Sequence, residues 1–160
     1  MPKISEQGLR FIKRHEGLRL QAYKDSKGVW TIGFGHTGAD VKPGMVITIE
    51  QAEDLLRRDL VRFEQAVTKL VQVPLTQAQY DALVSFAYNA GTKALAISQL
   101  LKKLNRRDYL GAADEFLKWV YIKVRGPDGK FVKKKLRGLE RRRAAERRIF
   151  LGITPGGRYV

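Results

Sequence analysis

The sequence predicts an α+β fold: a small N-terminal lobe carrying a β-hairpin, a long helix, and a mainly helical C-terminal lobe. Three observations lead there. Glycine-punctuated β-branched and aromatic residues are concentrated between positions 20 and 37. Two capping boxes, Thr48 to Gln51 and Thr76 to Gln79, each open a run of apolar residues at helical spacing. Beyond them the pattern stays mainly helical as far as Leu151.

Element by element, residues 5–16 read as a first helix. Ser5 is its N-cap, and Leu9, Phe11 and Ile12 form its apolar side. Gly17 stops it, leaving Glu16 on the last turn. The turn Asp25-Ser26-Lys27-Gly28 and the strand-like run Val29 to Gly35 then read as a short antiparallel hairpin. Pro43-Gly44 marks a loop, after which Thr48 caps a helix running to about Val71, with Ala52, Leu55, Leu56, Phe63, Val67 and Leu70 along it. Pro74 breaks the chain before a markedly apolar helix that ends at Asn89-Ala90-Gly91. Helices over about 92–104 and 108–121 are predicted next, the second capped by Asp108. Gly126-Pro127-Asp128-Gly129 is a tight turn suited to a small hairpin, and a basic helix over about 137–151 stops at Gly152. No internal repeat is evident.

Composition excludes several classes. With 44% hydrophobic and 29% charged residues the 160-residue chain reads as globular, with room for one or two small cores. It has no cysteine and only His15 and His36, so no disulfide framework or zinc cluster is expected, and no cofactor. No apolar run reaches the length of a membrane span or a signal-peptide core, since Lys3, Glu6, Arg10, Lys13, Arg14, Glu16 and Arg19 interrupt the N-terminal segment. The net charge of +15 is concentrated late: twelve Lys or Arg against three acidic residues lie between Lys123 and Arg148. A field of that sign draws the protein to polyanions, whether nucleic acid, anionic lipid or an acidic cell wall.

Glu16, Asp25 and Thr31 are the candidate catalytic residues, a Glu closing a helix, an Asp before a glycine turn and a Thr in the strand after it. Two carboxyls in different surroundings can divide acid and base roles, as glycosidic-bond hydrolysis requires. Each residue also has an ordinary structural reading: a solvated Glu, a turn-forming Asp, a strand Thr. His36 reads as a residue pairing with a carboxylate or a backbone carbonyl, and not as a base. Tyr23 and Trp30 flank the segment and are candidates for stacking on a sugar, Trp30 equally for packing inside the lobe.

The segment from His15 to Thr37 resembles the active-site region of phage-type lysozymes of the bacteriophage T4 class (glycoside hydrolase family 24). Ala82-Leu83-Val84-Ser85-Phe86-Ala87-Tyr88-Asn89-Ala90-Gly91 and Gly138-Leu139-Glu140-Arg141-Arg142-Arg143-Ala144-Ala145-Glu146-Arg147 extend the likeness, the latter towards endolysins of lambdoid phages such as P22. The resemblance implies one lysozyme-like catalytic domain over residues 1–160, with the substrate cleft between lobes. Its small lobe would cover about 15–47 and its linking helix about 48–71. The helical lobe would cover about 72–152 with helix 5–16 packed on it, and no cell-wall-binding domain would be present.

By the same resemblance Glu16 is the general acid for the β-1,4 bond between N-acetylmuramic acid and N-acetylglucosamine in peptidoglycan. Asp25 stabilises the positive charge that develops on the sugar and, with Thr31, holds a water, an arrangement that fits inversion. One C-terminal arginine should reach the cleft and pair with Glu16, with Arg142 and Arg143 as the candidates. The enzyme would be a monomer that collects in the host cytoplasm and needs a holin to reach the wall. The mildly amphipathic end of the last helix, Ile149-Phe150-Leu151, suggests peripheral contact with an anionic outer membrane. A nucleic-acid-binding module and a cationic membrane-disrupting protein would explain the charge, but give no reason for the Glu16, Asp25 and Thr31 arrangement.

Overall fold

The computed structural model describes residues 2–160. Helix α1 spans Glu6–Glu16. Ser5 caps it by accepting the Gly8 N–H, and it buries Leu9, Phe11 and Ile12. Gly17, at a φ of 74°, ends the helix while its N–H still reaches the Lys13 carbonyl.

Strands β1 (Arg19–Lys24), β2 (Trp30–Gly33) and β3 (His36–Thr37) follow as an antiparallel sheet in that order. The sequence predicted a two-stranded hairpin, with residues 33–35 continuing the strand. Instead Gly33 and Gly35, at φ of 69° and 91°, turn the chain a second time and create β3. Only glycine enters that backbone region without a Cβ penalty, so the Gly-Phe-Gly run is a turn.

Helix α2 (Ile49–Leu70) runs about 33 Å past the sheet and into the helical lobe. Its capping box is complete: the Gln51 N–H donates to the Thr48 hydroxyl, and the Thr48 N–H donates to the Gln51 side chain. Helix α3 (Gln77–Ala90) is closed in the same way by Thr76 and Gln79, and it buries every residue from Tyr80 to Ala87. A helix buried all round is the centre of its lobe, and α7 (Arg137–Leu151) packs most extensively against it. Fully burying a side chain such as Phe86 or Leu83 contributes about 1.5–3 kcal/mol.

Two predicted helices differ from the observed chain. The expected 92–104 helix is divided at Ser98 into α4 (Thr92–Ile97) and α5 (Gln99–Asn105). The Ser98 side chain accepts the Leu101 N–H and so starts a second helix. The expected 108–121 helix ends early: α6 (Tyr109–Glu115) passes into a 3-10 turn at Phe116–Lys118. Tyr121 already belongs to β4 (Tyr121–Arg125), which pairs with β5 (Phe131–Lys135) across the Gly126–Gly129 turn. The alternation Tyr-Ile-Lys-Val-Arg has the period of a strand, and it prevails over the helical reading there.

Chain ends are tied to the core. Asp81 on α3 accepts the Ser5 N–H at 2.9 Å and the Tyr159 hydroxyl at 2.6 Å, joining α1, α3 and the C-terminal tail. The end of α7 is also inside. Ile149 and Phe150 are buried and Leu151 packs on the same core, Phe150 against Phe116. The apolar side assigned from sequence to a membrane is thus occupied by the protein itself.

Candidate active site

Glu16 is the last residue of α1, and two distant parts of the chain converge on its carboxyl. Oε2 accepts a hydrogen bond from Arg142 Nη1 at 2.6 Å. Oε1 lies so close to the β2–β3 turn that a Cβ at Gly35 would stand 3.3 Å from it and 3.5 Å from the Tyr88 hydroxyl. Glycine there is required twice, by the positive φ and by the approach of the acid. Glu16 lines a cavity of about 230 Å³ together with Thr37, Asp59, Arg62, Tyr88 and Asn89. Tyr88 donates to the Phe34 carbonyl at 3.0 Å. Burial, followed by the charges of Glu16 and Asp59, pushes its phenol far up, so it stays a neutral donor.

The two candidate arginines separate clearly. Arg142, 4% exposed, is the one that reaches Glu16. Its other nitrogens turn inward, Nε to Glu146 at 3.4 Å and Nη2 to the Ser85 hydroxyl at 3.3 Å. Arg143, 1% exposed, points into the lobe: it donates to the Trp119 carbonyl at 3.0 Å, to Glu146 and to Asn89, with its guanidinium 4.9 Å over the Phe86 ring. Through Asn89 it touches the wall of the Glu16 cavity. Of the run Arg141-Arg142-Arg143, only Arg141 is a solvated surface residue.

Sequence reasoning passed over Glu146, which is fully buried and meets both arginines and the Ser85 hydroxyl, the last at 2.5 Å. One signal was available. Glu146 stands four residues after Arg142 and three after Arg143, the spacing at which helix side chains meet. Asp59, Arg62 and Tyr88 carried no comparable local sign.

Asp25 lies in the turn just after β1, and Thr31 lies on β2. Strand register sets Tyr23 opposite Thr31 and Thr31 opposite Thr37, so these three project on one face. Thr37 is part of the Glu16 cavity, and Thr31 is its buried neighbour on that face. The Thr31 hydroxyl donates to the Val29 carbonyl at 2.9 Å, so what it can offer a third group is its acceptor lone pairs. Asp25 Oδ1 accepts the N–H groups of Lys27 at 2.8 Å and Val29 at 2.9 Å, which is the turn-forming role. Its Oδ2 makes no hydrogen bond among the described residues. One carboxylate thereby shapes the turn with one oxygen and leaves the other available.

His36 bridges two carboxylates, Nδ1 to Asp59 at 2.8 Å and Nε2 to Asp40 at 3.0 Å. Burial pulls its pKa down, but the hydrogen bonds and charges of Asp59 and Asp40 outweigh it and hold the imidazole above its ordinary value. It ties β3 to α2 and has no nitrogen free to act as a base. Tyr23 shares the Thr31 face, with the Arg19 guanidinium 4.6 Å over its ring. Trp30 precedes Thr31 on the same strand and therefore projects from the reverse face, where it is packed on the small-lobe core.

This arrangement has a half-buried carboxyl fixed by an arginine in the wall of a polar cavity, and, outside that wall, a carboxylate in the β1–β2 turn and a strand hydroxyl adjoining Thr37. It has the parts for protonating a leaving oxygen on one side and managing charge and water on the other. The chain as a whole is similar to known proteins. The phage lysozyme family model matches residues 13–146. The endolysin of Acyrthosiphon pisum secondary endosymbiont phage 1 is 49% identical over 147 residues, covering 92% of this chain and 97% of that protein. The endolysin of Salmonella phage P22 is 50% identical over 123 residues, 74% of this chain and 84% of its own length. Among solved structures, an endolysin from Escherichia coli O157:H7 phage FAHEc1 superposes with a TM-score of 0.86 at 42% identity, covering 96% of each chain. The family match reaches from the last turn of α1 through Arg142 and Arg143 of α7: the chain belongs to the phage lysozyme family.

Proposed function

We propose that the protein is an endolysin, a muramidase that cleaves the β-1,4 bond between N-acetylmuramic acid and N-acetylglucosamine of bacterial peptidoglycan and so lyses the host. The observation that carries the residue assignment is the Glu16 carboxyl, held by Arg142 in a cavity that the β2–β3 turn closes at Gly35. Glu16 gives its proton to the glycosidic oxygen as the bond to C1 breaks. Positive charge on the sugar ring is stabilised by Asp25 through the oxygen that the turn leaves free. A water held between that oxygen and the Thr31 lone pairs attacks C1, its proton passes to Asp25, and the anomeric configuration inverts.

Tyr23, on the same sheet face, is the candidate to stack on a sugar. His36 supports the sheet without joining the chemistry. Among the described residues no helix is long and apolar enough to cross a membrane. In this reading the enzyme acts as a monomer and reaches the wall from the host cytoplasm when a separate holin opens the inner membrane.

Glu16→Gln tests the assignment. The amide keeps the shape and an acceptor for Arg142 but has no proton of carboxylic acidity to give. Lysis of purified peptidoglycan, followed by turbidity, should fall to a few per cent of wild type or less. Greater retained activity would overturn the role of Glu16. Reducing ends and their anomeric form in the wild-type digest test the water step, because internal transfer to the muramic acid 6-hydroxyl leaves an anhydro sugar with no reducing end.

A further inference from the structure

The β4–β5 hairpin is a strongly cationic surface, and none of its residues lines the Glu16 cavity. Between Tyr121 and Lys135 it holds six Lys or Arg and one acidic residue, Asp128, whose carboxylate is bent into the turn to accept the Lys130 N–H. Register places Lys123 directly opposite Lys133, Tyr121 opposite Lys135, and Arg125 opposite Phe131. One face thus carries four cations, Lys123 and Lys133 at its middle and one beside an aromatic ring at each end. That face is exposed, Tyr121 at 51% and Phe131 at 64%, and most of the reverse is exposed as well. Among the described residues, Lys135 alone of the six cations has a carboxylate within 4 Å, Glu140 at 3.9 Å.

Facing like charges across a strand pair destabilise a hairpin, and large exposed aromatics are unfavourable on a free surface. Both features become favourable against a surface that is anionic in one layer and apolar beneath. Lysine and arginine stems can lie along such a boundary with their charges among phosphates, while aromatic rings occupy the level just below. A nucleic acid would satisfy the cations but leaves aliphatic surface uncovered. The apolar exposure here continues beyond the face, through Val132 and Ile122 on its reverse and Leu117 upstream. Beside the face lies a cavity of about 450 Å³ walled by Trp119, Tyr121 and Ile122, with Lys123 and Lys133 on one side and Lys118, already paired with Glu115 at 2.5 Å, on the other. It is open to an acyl or glycerol group whose phosphate meets the lysines.

We infer that the Tyr121–Lys135 hairpin is a docking surface for an anionic phospholipid leaflet. The apolar side of α7 is spent in the core, so lipid contact falls to the hairpin and not to the helix.

Co-sedimentation with vesicles of mixed phosphatidylglycerol and phosphatidylcholine tests this, with pure phosphatidylcholine vesicles as the neutral arm. Wild type should bind the anionic vesicles and not the neutral ones. Replacing both Lys123→Gln and Lys133→Gln should weaken partitioning about thirtyfold. Phe131→Ser, which leaves the charge intact, should weaken it about tenfold. Both variants should clear lipid-free peptidoglycan at the wild-type rate, which also proves them folded. Tyr121→Ser, at the opposite end of the face, repeats the aromatic test should Phe131→Ser unfold. Equal uptake by neutral vesicles, or undiminished binding after loss of the aromatic ring, overturns the inference. So does a parallel loss of peptidoglycan lysis, which would make the face a wall-binding surface. Loss of duplex DNA binding with vesicle binding unchanged would overturn it as well.

Discussion

Glu146→Gln probes the support behind the Glu16 carboxyl. Glu146 is fully buried, and three donors converge on it: the Ser85 hydroxyl, Arg142 Nε and Arg143 Nη1. The buried charges are balanced, Arg142 and Arg143 against Glu146 and Glu16. Glutamine is the same size but supplies one carbonyl for those three donors and adds two N–H groups of its own. Rotating the Ser85 hydroxyl satisfies one amide hydrogen, yet one arginine is still left facing a donor, and the interior carries an uncompensated positive charge. Breaking a buried ion pair from one side costs about 3–5 kcal/mol. At roughly 2–4 °C per kcal/mol for a chain of this size, the melting temperature should fall by about 10 °C. Glu16→Gln, on a part-exposed side chain, leaves Arg142 its Glu146 partner and should lower it by much less. Calorimetry on both variants checks the order. A Glu146→Gln protein melting within about 2 °C of wild type would refute the claim that this carboxylate holds the arginine pair.

Two further outcomes can be measured separately. With only two histidines, NMR titration should resolve both: His15 below the ordinary 6.5, because burial and then the Arg142 charge disfavour its cation, and His36 above it. A folded value raised above the unfolded one gives stability that is complete below the unfolded pKa and lost as pH rises through the folded value. His36→Gln should therefore destabilise more at about pH 5.5 than at about pH 8.5, and equal losses would remove the Asp59 and Asp40 ion pairs from the account. Asp25→Asn separates the two duties of that residue. Its carbonyl can still accept the Lys27 and Val29 N–H groups, so stability should hold within about 1 kcal/mol. The charge is gone, so lysis should fall at least a hundredfold, on the order seen when a transition-state partner is removed. Asp25→Ala should lose both, and lysis retained by the Asn variant would confine Asp25 to the turn.

What the sequence made legible was local. Ser5, the boxes at Thr48 and Thr76, and Gly17 and Gly152 mark helix ends through bonds within four residues, so pattern and structure agree there. Disagreements arose where a non-local partner or a competing period decided. Ser98 is able to cap or to continue a helix, and it caps. Tyr121 closes the expected helix, and pairing with Lys135 on β5 takes it into the strand instead. Arg142 and Arg143 are adjacent and chemically identical. One faces Glu16 and the other Trp119 only because α7 packs on α3 at one particular rotation. A separation of 126 residues between Arg142 and Glu16 leaves no periodicity from which that rotation could be read.

The same rotation explains how so basic a chain keeps an acidic site. The sequence has 31 Lys or Arg against 16 Asp or Glu, yet around Glu16 the buried charges cancel. The excess lies outward, in part on a hairpin where Lys123 faces Lys133 with no carboxylate among the described residues within 4 Å of either. Exposed charges are screened beyond about 8 Å at physiological salt, whereas a buried pair is screened far less. Ionic strength should therefore govern any binding through the outer cations, while the Arg142–Glu16 pair stays fixed.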